Sequence, residues 1–486
     1  MTPIASRITS ITARQLKNTR ALASLHSNPI TSAPPPKMPV AQTDLKPLLE
    51  QNRKHVTPAL TRLHDAIIVK GQGCTVWDQE GNEFLDLTAG IGVTNLGHSH
   101  PAVTAAVVNQ AQQISHVQCS VAFSLPYLQL VESLLPLMPH PSLDTFFFWN
   151  SGSEAIEMAL KLVKRASNRP NVIVMQGSYH GRTHGASALT KSKNVYTMGT
   201  GATMNGVYTT PFPYWHSLGV DPATPEEELV KMAKFQLELL IKQQTAGGDV
   251  AALFIEPVIG EGGYVPAPAS WLQFLREFCD KHGILLVIDE VQTGFGRTGK
   301  MFMSEYSGVR ADVMIFAKGL ANGYPLSGVV ASRELMAKQE PGTIGGTYAG
   351  NAVSCAAAVA VAEVFKTQPI IENVNARSAQ LFEMLNGLKS SPKTANLIAD
   401  VRGKGLMVAC EFASAGDALT VKDGVTIPAN VGKRVQQKCQ AAGLFILTTS
   451  CFDTIRFIPP LVITEEEMAR ACKVFAQAVE EVAREG

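Results

Sequence analysis

The chain has 486 residues, 45% apolar and 17% charged, a balance that excludes a wholly disordered polypeptide and suffices for a large core. With 42 Lys and Arg against 41 Asp and Glu, the net charge is +1. There is no basic excess to hold a phosphate backbone, so nucleic acid is not an expected partner. No run of 18 apolar residues occurs, and no membrane span is expected. The eight scattered cysteines include no Cys-x-x-Cys pair and read as free thiols of a reducing compartment, with no metal site.

Residues 1–40 carry Arg7, Arg14, Lys17, Arg20 and Lys37, with no acid before Asp44. On a helical wheel Ile4, Ile8, Ile11, Leu16 and Leu22 take one side and the cations the other. This pattern predicts a mitochondrial targeting segment; a disordered tail of accidental composition is the alternative. Pro34-Pro35-Pro36 ends any helix there, and initiation at Met38 would give a cytoplasmic chain without the address.

Beyond residue 60, short apolar runs alternate with helical periods. Thr145–Phe148, Asn171–Met175, Ala251–Ile255, Ile284–Ile288 and Asp312–Phe316 read as buried strands of a mostly parallel sheet, with helices over Glu154–Arg165 and Ala269–His282. Further strands are expected at Val408–Phe412, Phe445–Thr448 and Ile455–Phe457. The expected fold class is α/β: a large domain over 105–355, and a smaller α+β domain over 356–486 to which segment 41–104 contributes.

Gly294-Phe295-Gly296-Arg297-Thr298-Gly299 matches the dinucleotide pattern G-x-G-x-x-G. The mechanism behind that pattern needs a strand immediately before it, a helix after it and an acid about 20 residues on. Five residues separate the strand from Gly294, and the expected acid position falls beside Lys318. A nicotinamide oxidoreductase is therefore the weaker possibility.

Three features fit another cofactor. Asn150-Ser151-Gly152-Ser153-Glu154 joins a strand to a helix through a capping box, whose free amides suit either plain capping or a phosphate. Asp289 directly follows the strand Ile284–Ile288, at the edge where open α/β sheets bind ligands. A carboxylate there can hold a heterocyclic nitrogen protonated, although acids at strand ends are common. Lys318 follows the strand Asp312–Phe316 and precedes a glycine-containing loop, as either a snorkelling surface lysine or a desolvated nucleophilic amine. An anion cup, a carboxylate for a ring nitrogen and an amine for a Schiff base are what pyridoxal phosphate asks of a protein.

The chain resembles the class III (ω-amino acid) aminotransferases of fold type I, through AGIGVTNLGHSHP (89–101), NSGSEAIEMALKLVKRA (150–166), GSYHGRT (177–183), FIEPVIGEGGY (254–264), LLVIDEVQTGFGRTGK (285–300), FAKGLANGYPLSGVV (316–330), GGTYAGN (345–351) and VRGKGLM (401–407). Order and wording are most similar to the 4-aminobutyrate enzymes. The resemblance implies that Gly152 and Ser153 bind the cofactor phosphate, Tyr179 lies on the ring and His180 braces the site. Asp289 would serve the ring nitrogen, Gln292 the ring hydroxyl, and Lys318 would bond the cofactor and shuttle the proton. Thr347 would complete the phosphate site of a neighbouring subunit, which implies a homodimer or dimer of dimers with shared sites.

On the substrate side, the resemblance gives Arg182 a distal carboxylate and Arg456 the α-carboxylate of glutamate or 2-oxoglutarate; a structural ion pair is the alternative for both. Glu261 would cover Arg456 when the donor has no α-carboxylate, with Glu256 in the same loop. Ile91 matches the 4-aminobutyrate enzymes and disfavours ornithine. Ile259 stands where many relatives carry Gln, and Asn322 where many carry Gly. The implied reaction is ping-pong transfer from a small amino donor to a 2-oxo acid. Acetylornithine and alanine–glyoxylate transfer are alternatives, as is a lyase, racemase or aminomutase of the same fold.

Overall fold

The computed structural model describes residues 45–421 and 425–485, so the expected targeting segment lies outside the described residues. The described residues 45–67 form a unit of their own, containing the helix Lys46–Arg53 and an exposed Arg53–Asp65 ion pair of 2.7 Å.

Among the described residues from Ile68 onward there are three larger sheets and a small one that pairs β8 (Val258–Ile259) with β9 (Val265–Pro266). The central sheet has seven strands: β4 (Thr145–Trp149), β5 (Asn171–Met175), β6 (Val207–Thr210), β7 (Val250–Ile255), β10 (Leu285–Asp289), β11 (Val313–Phe316) and β12 (Ser327–Ala331). Their spatial order is β4-β12-β11-β10-β7-β5-β6. The pairs β11–β10, β10–β7, β7–β5 and β5–β6 are parallel, while β12 runs antiparallel to both of its neighbours.

All six residues of β7 are buried because both faces of the sheet are covered. Alternate residues feed different cores: Leu253, Ile255, Leu286 and Ile288 belong to one apolar cluster, and Ala252, Phe254 and Val287 to the other. This is the two-residue period of a strand packed on both sides. The helix Gly152–Ser167 supplies Ile156, Ala159 and Val163 to the second core, and Ala269–His282 supplies Trp271, Leu272 and Leu275 to the first.

A second sheet is antiparallel, in the order β13 (Ile398–Lys404), β14 (Met407–Phe412), β17 (Thr454–Phe457) and β16 (Leu447–Thr449). The third joins distant segments, with β1 (Ile68–Gln72), β2 (Thr75–Asp78) and β3 (Glu83–Asp86) completed by β15 (Leu444–Phe445) pairing parallel to β3. The expected strand Phe445–Thr448 is thus two short strands on different sheets, because Ile446 is the point where the chain crosses between them. The strand β12 was not expected. Its glycine-containing sequence carries a weaker strand signal than the Val- and Ile-rich parallel strands.

Candidate active site

Five parallel-running strands end at one edge, and the residue after each, or a few positions on, lines a single cavity of about 280 Å³. Past β4 come Asn150–Ser153; past β5, Tyr179 and His180; past β7, Glu256 and Glu261; at the end of β10, Asp289, Val291 and Gln292; past β11, Ala317 and Lys318. Topology alone thus brings together residues up to about 170 positions apart, at the edge where such sheets bind ligands.

The β4 exit is set by local chemistry. Ser151 Oγ accepts from the Glu154 amide at 3.3 Å, and Glu154 Oε2 accepts from the Ser151 amide at 2.9 Å, forming the expected capping box. First-turn amides have no partner within a helix, so those of Gly152 and Ser153 face off the helix end, where the dipole favours an anion. A Cβ on Gly152 would stand 3.2 Å from Val291 Cγ1, so the glycine keeps this corner close.

Asp289 is the last residue of β10 and 4% exposed. Its Oδ1 accepts from the Val291 amide at 3.0 Å, and its Oδ2 lies 2.8 Å from Nδ1 of the buried His180. Burial opposes charge on His180, but the bond to Asp289 and the nearby Glu256 outweigh it, and the imidazole pKa is raised. Glu256, also buried, accepts from the amides of Tyr179 at 2.8 Å and Gly260 at 3.2 Å. Burial dominates there and raises its pKa to about 7, with His180 opposing. His180 Nε2 and Gln292 Oε1 are buried without a hydrogen-bond partner.

Lys318 has a backbone φ of 41°, a left-handed conformation that costs a non-glycine residue energy and turns the chain sharply away from β11. Its side chain enters the cavity. Desolvation lowers its pKa to about 8, against the carboxylates of Glu261, Glu256 and Asp289. The amine is therefore partly neutral near neutral pH, as a nucleophile requires.

Glu261, which lines the cavity, forms a hydrogen-bonded ion pair with Arg456 of β17, a side chain only 5% exposed that lies behind it and does not itself line the cavity. The pair holds the Glu261 carboxyl below its usual range in spite of burial. Arg182 is exposed, bonds Tyr179 Oη through Nε at 3.1 Å and stacks on Tyr196 at 4.6 Å. Ile91 is 41% exposed, in a left-handed turn with Ala89, Gly90 and Gly92 that carries Val93 to the cavity wall. Thr347 is exposed and does not line the cavity of its own chain; its carbonyl meets His116 Nε2 at 2.6 Å.

Sequence reasoning did not single out Val291, Tyr324 and Tyr196, which line or flank the cavity. Aromatic and apolar linings carry no signal that separates them from core residues. Asn322 has a φ of 48°, in the left-handed region that favours glycine, and its side chain ties Leu96 at 2.8 Å and Gly97 at 3.0 Å. Ile259 is buried and lines a different, smaller pocket.

The G-x-G-x-x-G stretch follows β10 as a string of turns and opens no helix. Its Arg297 is fully buried, bonding the carbonyls of Leu406 and Pro459 and the Asn95 side chain at 2.8 Å. The stretch thus ties the central sheet's loops to residues 406–459 and has none of the geometry of a dinucleotide site.

The residues fit pyridoxal phosphate: a helix start for its phosphate, a buried carboxylate for its ring nitrogen, an amine of lowered pKa for its aldehyde, and an unpartnered Gln292 oxygen. Fold and site together define a pyridoxal-phosphate-dependent enzyme of fold type I. The family described as aminotransferase class-III matches residues 57–479, and the chain belongs to it: it is a pyridoxal-phosphate-dependent transaminase. It is 36% identical to a 5-aminovalerate aminotransferase of Pseudomonas aeruginosa, over 90% of this chain and 98% of that protein. It is also 36% identical to a 4-aminobutyrate aminotransferase of Escherichia coli, with the same coverages. Among solved structures, an (S)-enantioselective omega-transaminase from Thermomicrobium roseum is 30% identical with a TM-score of 0.81, over 90% of this chain and 98% of that one. A taurine:2-oxoglutarate aminotransferase of Bifidobacterium kashiwanohense, in complex with PLP and glutamate, is 25% identical with a TM-score of 0.81, over 90% and 98%.

Proposed function

We propose that the enzyme transfers the amino group of an ω-amino acid of the 4-aminobutyrate or 5-aminovalerate type to a 2-oxo acid such as 2-oxoglutarate, by a ping-pong sequence. The bound cofactor supplies an aldehyde that bonds amines and a ring that withdraws electrons from them. Asp289, braced by His180, holds a proton at the ring nitrogen, while Gly152 and Ser153 hold the phosphate and Gln292 the ring hydroxyl. Lys318 Nζ accepts the proton from the amino-bearing carbon of the donor and returns one to the acceptor.

The observation that carries this proposal is the Glu261–Arg456 pair. An ω-amino donor brings no α-carboxylate, so a bare Arg456 would be a buried unpaired charge, which is costly. Glu261 covers it. Glutamate or 2-oxoglutarate brings its own carboxylate and displaces Glu261, and Arg182, bonded to the cavity residue Tyr179, suits the distal carboxylate.

Single-turnover spectra with 4-aminobutyrate, 5-aminovalerate and glutamate test this directly. Glu261→Ala slows the half-reactions of the first two far more than that of glutamate, and Arg456→Ala does the reverse. Equal slowing of both halves rejects the donor assignment.

A homodimer or dimer of dimers belongs to the same proposal. Val121, Phe123 and Tyr348 are 79%, 74% and 67% exposed, and His116 packs on Tyr348 while bonding Thr347, so the two segments that meet at His116 present exposed apolar side chains along with the residue expected to serve a neighbour's phosphate. Light scattering that gave a monomer would reject it. Mitochondrial import is part of the same reading, supported by the cation-rich, acid-free composition of residues 1–40.

A further inference from the structure

The turn that carries Glu261 is held by three successive backbone carbonyls. The Glu261 carbonyl accepts from the Ser450 amide at 3.0 Å, the Gly262 carbonyl from Ser450 Oγ at 3.1 Å, and the Gly263 carbonyl from Arg402 Nε at 2.9 Å and Nη2 at 2.7 Å. The turn closes on itself through the Gly263 amide and the Gly260 carbonyl at 3.1 Å, and Tyr264 leaves it with a φ of 55°. Arg402 is itself fixed. Its Nη1 lies 2.6 Å from Glu411 Oε2 and 3.1 Å from Asp400 Oδ2, and its guanidinium sits over the Tyr214 ring at 5.0 Å.

Glu411, 1% exposed, gathers the rest: Tyr214 Oη donates to it at 2.8 Å, and His216 Nε2 lies 2.6 Å away. His216 in turn stacks on Phe452, two residues beyond Ser450. Two strands of the antiparallel sheet, the turn after β16 and the segment after β6 therefore converge on the turn that carries Glu261. Arg402 and Glu411 do not line the cavity.

We infer that Arg402, oriented by Glu411, is a positioning residue of the carboxylate switch: it pins the backbone of 261–263 so that only the Glu261 side chain moves between covering and uncovering Arg456. The clamp rests on the proposed donor class. Two bonds from a planar fork to one carbonyl fix direction as well as distance, which an ammonium on the same stem cannot do. A released turn would leave Glu261 sampling positions away from Arg456, and small misplacements at a reacting site cost large factors in rate. The penalty falls on the half-reaction that needs Arg456 covered and spares the one in which substrate covers it.

The test measures single-turnover rates of both half-reactions in the holoenzyme for Arg402→Lys and, as an independent break in the same chain, Glu411→Gln. Expected is a slowing of roughly tenfold or more with 4-aminobutyrate and less than about threefold with glutamate, with little further loss when either change is added to Glu261→Ala. Equal slowing of both halves, or the full loss persisting in the Glu261→Ala background, overturns the clamp. If Glu261→Ala alone slows both halves equally, the donor class is rejected; if it discriminates and the Arg402 and Glu411 variants do not, the clamp alone is rejected. Glu411→Gln keeps size and most hydrogen bonding, so a poorly folded Arg402 variant does not decide the outcome.

Discussion

His180 Nδ1 lies 2.8 Å from Asp289 Oδ2, and Val291 occupies the other oxygen of that carboxylate. The carboxylate is thereby fixed at the end of β10 with a partner whose charge it stabilises. Asp289→Asn removes the anion while keeping the shape, and turnover is expected to fall by about 10²-fold or more, as for other preorganised electrostatic contacts. His180→Asn keeps a donor without the cation and is expected to cost less. Steady-state kcat with saturating cofactor checks both, and an active Asp289→Asn enzyme would make the carboxylate structural.

Lys318 supplies a pH dependence. Its pKa in the folded protein is lowered to about 8 from an ordinary 10.5 by desolvation. Above the ordinary value the amine is neutral folded or unfolded, and the site costs nothing. As pH falls toward 8 the unfolded chain takes up the proton first, so apoenzyme stability declines through this window and levels off below it. Capture of pyridoxal phosphate by the apoenzyme needs the neutral amine, so its rate climbs as pH rises toward 8 and then flattens. Stopped-flow absorbance reads this profile. Borohydride reduction of the holoenzyme, followed by peptide mass spectrometry, is expected to mark Lys318 and no other lysine.

Arg297 sits among neutral acceptors with no carboxylate beside it, and burial lowers its pKa to about 10. Arg297→Lys cannot reach the Leu406 and Pro459 carbonyls and the Asn95 side chain together. Each lost charge-assisted bond removes about 1.5–3 kcal/mol, so the variant is expected to melt several degrees lower. Calorimetry checks the shift. A variant that kept its stability would reject this anchoring role for Arg297.

Residues 1–40 fused to a fluorescent reporter are expected to reach mitochondria, and exchanging Arg7, Arg14 and Arg20 for Glu is expected to leave the reporter in the cytosol. Cytosolic fluorescence with the native segment would reject the targeting role.

The parallel strands were legible because burial on both faces makes them continuous apolar runs, and the helix Ala269–His282 matches its expected limits. Lys318 and Asp289 stood out only in combination with the Asn150–Glu154 turn, since an acid at a strand end and a snorkelling lysine are each common alone. The Glu261–Arg456 pair came only from resemblance, since no local pattern joins residues 195 positions apart. The roles of Arg402 and Arg297 were hidden more thoroughly, because both act on backbone carbonyls, and a carbonyl is present at every residue.

The pairing of β3 with β15 sets a schedule for the newborn chain. Leu85 donates its amide to Gly443, and Leu87 to Phe445, so the hairpin made first acquires its last strand only near the end of translation. At about 5–20 residues per second, the ribosome leaves that edge uncovered for on the order of tens of seconds. Cys74, Leu85 and Leu87, all at most 2% exposed in the finished fold, spend that interval without their final cover. An open strand edge beside apolar side chains is a template for pairing with another nascent chain. Overexpression without a chaperone that holds this hairpin is therefore expected to fail by aggregation long before any defect of the active site is felt.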